Sequence, residues 1–166
     1  MQTMAQEVFT STYFQLLGET FDGPPPEEGS AYLDKGAGLF QTLERLAAEE
    51  ASTAVGPGAP TIAGHCEHVR FYLVALHEFM RGATDKVDWK QSWRVQAVTA
   101  EEWNAAREGL RQAYTTATDH LRSVVRWGDS EVSDGMAILV HTAYHLGAIR
   151  QLVRALAVNH MDRGST

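Results

Sequence analysis

Two clusters of proline and glycine interrupt the chain, at 23–26 and at 56–60, and they limit what each segment can fold into. Proline stops a helix because it lacks the backbone N–H and clashes with the preceding turn. Between and beyond the clusters, apolar residues recur three and four positions apart, which is the period of an amphipathic helix. No segment shows the strict alternation of a half-buried strand. The pattern predicts an all-α fold.

Five helices are predicted from these apolar stripes and from the residues that begin and end helices. They cover 3–21, a stretch that begins near 39 and ends before 56, 62–80, 100–124 and 133–158. Thr61 is a suitable N-cap for the third helix, and Thr99 with Glu102 forms the capping-box pattern that opens the fourth. We therefore expect one domain over residues 1–166, an antiparallel four-helix bundle with an additional N-terminal helix.

Composition excludes several classes of function. The net charge of −7 and the sequence pI of about 5.4 leave no basic surface for nucleic acid or an anionic membrane. No apolar run approaches the roughly 18 residues of a membrane span, and the N-terminus lacks the pattern of a signal peptide. The single cysteine, Cys66, rules out an internal disulfide and falls on an apolar stripe, where we interpret it as packing. We expect a soluble, cytoplasmic protein.

His141 and His145 are the residues with the clearest chemical meaning. Their spacing of four places them one turn apart on one helix face, and the helical wheel puts them on the stripe of Ile138 and Ile149, which points inward. Buried imidazoles are costly unless their nitrogens meet a hydrogen-bond partner or a metal, which zinc provides at about 2.0–2.1 Å. A bare H-x3-H also occurs among ordinary histidines, so the pair alone leaves both interpretations open.

A metal site of this kind needs a third ligand from another helix, and the third predicted helix offers His65 and His68. Periodicity alone favours His65, which lies about 60° from the centre of its apolar stripe, whereas His68 lies about 120° away. A residue on the flank of a helix can still face a neighbouring helix in a bundle. The residues by themselves leave both histidines as candidates.

Two motifs together resemble the DinB/YfiT-like metal-binding superfamily. One is T-I-x5-H, which ends at His68, and the other is H-x3-H-x-G-A-I-R, which begins at His141. The usual second motif has glutamine where this chain has Ala148. The resemblance covers most of the chain and implies a divalent ion, zinc first and nickel second, bound by His68, His141 and His145. It leaves His65 to support or replace His68.

The resemblance also implies a function. Such proteins resemble metal-dependent transferases or isomerases that use low-molecular-weight thiols, so the leading hypothesis is a thiol S-transferase-like enzyme in detoxification or stress response. Its partners would be a thiol of the bacillithiol, mycothiol or glutathione type and a small electrophile. The alternatives are a metal-dependent hydrolase and a non-catalytic metal-binding stress-response module, so catalysis itself is left open. A homodimer is implied as well, with the first helix contributing apolar surface.

Three further side chains have expected roles. Trp89 and Trp93 lie in the connection after the third helix, where they could line a cleft near the site. We favour the alternative that they anchor a long loop to the core. Arg150 is the last residue of the second histidine motif, and we expect it to stabilise the bundle through a carboxylate such as Glu67.

Overall fold

The computed structural model describes residues 4–27 and 29–163, with the backbone alone for 159–163. Within these ranges every regular element is helical, so the all-α prediction is confirmed, and no helix has the length and hydropathy of a membrane span. Thr3, included in the first predicted helix, lies outside the described residues. The elements are α1 (Met4–Asp22), α2 (Leu39–Glu44), α3 (Ala48–Ala51), α4 (Ile62–Met80), a 3-10 helix (Trp89–Trp93), α5 (Ala100–Ser123) and α6 (Asp129–Arg163).

The predicted helix starts at Thr61 and Thr99 are confirmed. The Thr61 hydroxyl accepts a hydrogen bond from the Gly64 N–H at 3.1 Å, as an N-cap does. The Thr99 hydroxyl accepts from the Glu102 N–H, and the Glu102 carboxylate accepts from the Thr99 N–H at 2.7 Å, which completes the capping box. Both signals act within one turn, and for this reason the sequence alone predicts them.

The last helix is longer than expected at both ends. It begins at Asp129 rather than near Ser133, and it continues to Arg163. The Glu131 carboxylate accepts a hydrogen bond from the Gly128 N–H at 2.8 Å, so an acidic side chain in the first turn satisfies a backbone donor at the helix start.

The second predicted helix is interrupted, and this expectation was wrong. It forms two short helices, α2 and α3, with the break at 45–47. The indole N–H of Trp103 donates to the Leu46 carbonyl at 2.9 Å, so this carbonyl bonds to a side chain of α5. Ala47 has an extended backbone, and its N–H donates to the Glu50 carboxylate at 2.9 Å. Ala47 therefore caps α3 as a separate helix.

Helices α4 and α6 run in opposite directions. His65 on α4 faces His145 on α6, and His68 faces His141, so rising numbers on one helix meet falling numbers on the other. This antiparallel pairing brings the histidines of the two predicted motifs to the same level of the bundle.

Helices α4 and α5, in contrast, run in the same direction. Cys66 contacts Ala106 near the start of both helices, and His77 contacts His120 towards the end of both. The expectation of an antiparallel bundle was wrong for this pair. A short loop would have forced the two helices to be antiparallel, but the connection over 81–99 is long enough to return along α4 before α5 begins. The 3-10 helix lies on this returning segment.

Helix α1 belongs to the core and is not an addition to it. Tyr13, Leu17 and Phe21 are at most 2% exposed, and the Phe21 ring stacks on Tyr114 of α5 at 4.1 Å between centroids. Because α2 and α3 are too short to cover the bundle, α1 joins α4, α5 and α6 as the fourth long helix. Full burial of each large apolar side chain contributes about 1.5–3 kcal/mol.

Arg150 does not pair with Glu67, as the sequence had suggested. Its guanidinium lies 3.7 Å from the carboxylate of Asp34, in the segment between α1 and α2. Glu67 is occupied by Arg70, three residues along its own helix, at 2.7 Å. Glu67 pairs with Arg70 because Arg70 lies on the same helix face and requires no long-range approach.

A buried carboxylate joins α1 to the segment that follows it. Glu19 is 2% exposed, and its oxygens accept hydrogen bonds from three consecutive backbone N–H groups, at Ala31, Tyr32 and Leu33, and from the Ser30 hydroxyl. Burial by itself would raise the pKa of Glu19, but these hydrogen bonds to the ionised form together lower it. We call this arrangement the Glu19 node.

Candidate metal centre

The structure brings three histidines together between α4 and α6. One ring nitrogen from each of His68, His141 and His145 lies within 4.8 Å of the others, and this is the only such group of histidine, cysteine or acidic side chains found among the described residues. His145 is buried, whereas His68 and His141 are partly buried. The Nε2 atoms of His68 and His141 are 3.0 Å apart. We refer to these three residues as the triad.

The donor set and spacing of the triad fit a divalent transition metal. Zinc–nitrogen bonds of about 2.0–2.1 Å in a tetrahedral arrangement separate the nitrogens by about 3.3–3.4 Å. The 3.0 Å between the two Nε2 atoms is close to this value, so this pair needs only a small outward shift, whereas separations of up to 4.8 Å in the triad would have to shorten. Imidazole nitrogens suit zinc, nickel and copper better than magnesium or calcium. With three protein donors, an ion held there would keep at least one position for another ligand.

The electrostatic surroundings keep the triad neutral. Desolvation by burial lowers the pKa of His141 to about 4, with a smaller contribution from His68. Desolvation also lowers the pKa of His145 to about 3, assisted by the neighbouring histidines, and burial lowers the pKa of His68. At neutral pH the three rings are therefore uncharged, and a metal ion would not meet a positively charged imidazolium.

His65 lies next to the triad but outside it. It is 8% exposed, and its Nδ1 faces the Nδ1 of His145 at 2.9 Å. One of these two atoms must carry the proton that joins them. If His145 offers Nε2 to the triad, its Nδ1–H donates to His65. Periodicity was therefore a sound guide to the burial of His65, but the triad contains the flank residue His68.

The two ring nitrogens of His68 have different surroundings. Nε2 faces His141, and Nδ1 lies 2.7 Å from the hydroxyl of Ser92, which is 0% exposed in the 3-10 helix. Sequence reasoning missed Ser92 because one serine between two tryptophans has no periodicity and no motif. Its contact with His68 depends entirely on the path of the connection between α4 and α5.

Aromatic rings cover two of the three triad histidines. Trp93 stacks on His68 with 4.1 Å between centroids and 17° between planes, and Tyr72 stacks on His141 at 3.6 Å and 10°. Of the two roles considered for Trp93, the position beside the site is therefore the one observed, because its ring lies on His68. Trp89 packs against Tyr72 of α4 at 5.7 Å but remains 39% exposed, so it contacts the surface of the bundle and is not part of the core. The stacked rings exclude water from one face of each imidazole.

A hydrogen-bonded clamp holds this connection against the start of α4. Thr61 donates through its N–H and its hydroxyl to Gln96, at 3.1 and 2.8 Å, and the Gln96 amide donates to the Trp93 carbonyl at 2.8 Å. A Cβ at Gly64 would lie 2.7 Å from the Gln96 side chain, so a larger residue there would force that side chain to move. The clamp fixes Trp93 and its neighbour Ser92 over the triad.

One polar atom of the site has no partner. The Nδ1 of His141 is buried without a hydrogen bond within the described part of the chain, and so is the hydroxyl of the adjacent Thr142. Buried polar atoms without partners are rare in folded proteins and are often found at functional sites. In His68 and His145 the Nδ1 atoms contact Ser92 and His65, respectively. The Nδ1 atom of His141 has no hydrogen-bond partner in the described part of the chain.

Comparisons of the chain with protein-family models, with curated proteins and with solved structures gave no match. The interpretation of the site therefore depends on its own geometry and chemistry.

Proposed function

We propose that this protein is a DinB-like helical bundle that binds one divalent metal ion, zinc first and nickel second, through His68, His141 and His145. The observation that supports this most directly is the approach of three neutral ring nitrogens to within 4.8 Å of one another. The Nδ1 of His141 is buried without a hydrogen-bond partner in the described chain, which is unfavourable for a polar atom. A shared cation would bind one nitrogen of each of the three rings.

We further propose thiol S-transferase-like chemistry at this site, with a low-molecular-weight thiol and a small electrophile as partners. Bound there, a divalent ion would supply Lewis acidity that lowers the pKa of a coordinated thiol and so favours the thiolate. The chain contributes the three donors and the stacked rings of Trp93 and Tyr72, which limit water access. The thiol must come from solution, because Cys66 is 0% exposed and burial raises its pKa to about 12.

The donor set favours this proposal over a metal-dependent hydrolase. A hydrolase needs a general base beside the attacking water. No carboxylate joins the triad in the described ranges, and the shifted pKa values of His141 and His145 trace to burial and to other histidines. A non-catalytic module would bind the same ion, so activity has to be measured directly.

The test is conjugation of a thiol to a chromogenic aromatic halide by zinc-loaded protein, with bacillithiol, mycothiol and glutathione assayed separately. We expect at least one thiol to react, chelation to abolish the reaction, and His145→Ala to lose it. Cys66→Ser should retain it, and His120→Ala serves as a matched control because His120 lies on α5 against His77.

Each alternative has its own outcome. Ester hydrolysis without added thiol would establish the hydrolase. Metal-dependent stability with neither activity would establish the non-catalytic module. Loss of conjugation in a folded, zinc-loaded Cys66→Ser protein would overturn the proposal that the nucleophile comes from solution.

The homodimer and the cytoplasmic location stay predictions. Met4 and Val8 on α1 are 81% and 63% exposed, so the helix that we expect to contribute to a dimer does present apolar surface. A symmetric pair is the commonest way for such a surface to be covered.

A further inference from the structure

The hydroxyl of Ser92 has only one proton, and its surroundings decide where that proton goes. The hydroxyl lies 2.7 Å from the Trp89 carbonyl oxygen, which can only accept, so Ser92 donates there. Its oxygen then has only lone pairs for the Nδ1 of His68, also at 2.7 Å. Two acceptors cannot share this contact, so the His68 Nδ1 must bear the hydrogen.

This assignment determines the other side of the ring. A neutral imidazole has one N–H, so a proton on Nδ1 leaves Nε2 of His68 with its lone pair directed at the triad. The same tautomer explains the 3.0 Å contact between the Nε2 atoms of His68 and His141, in which His68 accepts and His141 donates while no ion is bound. Both contacts of the His68 ring are satisfied by one tautomer.

The support for Ser92 is itself held in place. Asp88 caps the start of the 3-10 helix, because its carboxylate accepts the Lys90 N–H at 3.2 Å. Arg94 caps the end, because its N–H donates to the Gln91 carbonyl. The clamp between Thr61 and Gln96 fixes the residues that follow. The Ser92 hydrogen bond orients the His68 ring within its plane, and the stacked Trp93 ring fixes the plane.

We propose that Ser92 is a positioning residue of the metal site, which holds His68 as the Nδ1–H tautomer so that Nε2 can bind the ion. This proposal rests on the proposed metal site. Among the triad residues, His68 is the one whose tautomer is imposed by a fully buried side chain from a separate segment. Removing such a partner from a metal-ligating histidine typically weakens metal binding about 10- to 100-fold.

The first experiment compares zinc affinity by competition with a chromophoric chelator in wild type, Ser92→Ala, Ser92→Thr and Ser52→Ala. Ser52 is the matched control, because its hydroxyl also bonds to backbone groups, at Ala48 and Val98, without contact with a histidine. We expect Ser92→Ala to lose about 10- to 100-fold in affinity. Ser92→Thr, which keeps the hydroxyl, should recover most of it, and Ser52→Ala should match wild type.

The second experiment reads the tautomer directly, by nitrogen-15 NMR of the His68 ring in the metal-free protein. Wild type should show Nδ1–H, and Ser92→Ala should show a mixture or Nε2–H, which a merely structural role of Ser92 would not produce. An Nε2–H tautomer in wild type overturns the proposal, even if Ser92→Ala fails to fold. Unchanged zinc affinity in a folded Ser92→Ala protein overturns it while leaving the metal site intact. A wild type that takes up no zinc overturns the metal site, and the role of Ser92 with it.

Discussion

The Glu19 node and the triad are two buried polar clusters that differ in how their polar atoms are hydrogen-bonded. At the node, one carboxylate receives four hydrogen bonds, three of them from consecutive backbone N–H groups at 2.6 to 2.8 Å. At the triad, basic nitrogens face one another, and the Nδ1 of His141 has no partner in the described chain.

The difference separates a polar cluster whose hydrogen bonds are complete from one that could hold a metal ion. The donors around Glu19 match its charge and its lone pairs, so the node is complete and has no capacity for a ligand. The triad contains only ring nitrogens, and the Nδ1 of His141 has no hydrogen-bond partner in the described chain, so the cluster could hold a metal ion. A buried cluster of one kind of group is costly to fold unless something outside the chain completes it. The following predictions test this contrast, from the largest effect to the smallest.

Triad variants should lose metal binding with little loss of stability. His68→Ala, His141→Ala and His145→Ala each remove one metal ligand. Loss of a ligand's hydrogen-bond partner lowers metal affinity by up to about 100-fold, so loss of the ligand itself should lower zinc affinity by more. Isothermal titration calorimetry with zinc measures this, and Glu19→Ala should bind as wild type. If His65→Ala abolishes binding while His68→Ala leaves it intact, the triad has been assigned to the wrong histidine.

The Glu19 node should show the reverse behaviour. Glu19→Ala leaves three backbone N–H groups without their acceptor, and each buried donor without a partner costs about 1–3 kcal/mol, so the free energy of unfolding should fall by about 3 kcal/mol or more. Urea unfolding of the metal-free protein measures the change. Glu108→Ala, at an exposed position of α5, should stay within about 0.5 kcal/mol of wild type. Equal losses in both variants would contradict a special role for the node.

Acid should remove the contribution of Glu19 gradually. Because the pKa of Glu19 in the folded protein is lowered from its usual 4.5, the stabilisation is complete above pH 4.5 and is lost as the pH falls through the folded value. The difference in unfolding free energy between wild type and Glu19→Gln should therefore be constant from pH 7 to about pH 5 and should shrink below it. A difference that does not change down to pH 3 would show that the charge of Glu19 is not what stabilises the node.

Sequence reasoning succeeded where the signal is local. The starts of α4 and α5 follow from Thr61 and from the Thr99–Glu102 box, since each cap bonds within three residues. The break between α2 and α3 could not be found in this way, because it depends on a bond from Trp103 to Leu46, 57 positions apart. Glu67 and Arg150 were paired wrongly for a similar reason, as no local pattern shows the approach of Asp34 to Arg150.

The residues of the candidate site also include some that a local pattern predicts and some that it does not. The inward pair of His141 and His145 follows from helical spacing alone, whereas His68 required the resemblance to a family, because its own helix places it on a flank. Neither spacing nor resemblance indicated Ser92, whose contact with His68 spans 24 positions.

The sequence by itself determined that the chain is helical, where two of its long helices begin, and that two histidines share an inward face, because these properties depend on residues within a turn or two of each other. Only the tertiary structure decided that α5 runs parallel to α4, that the returning connection lies over His68, and which nitrogens face which partners. Those features depend on atoms brought together from up to 80 positions apart, as between His65 and His145. Their geometry is set by the packing of whole helices, and no local pattern of residues contains it.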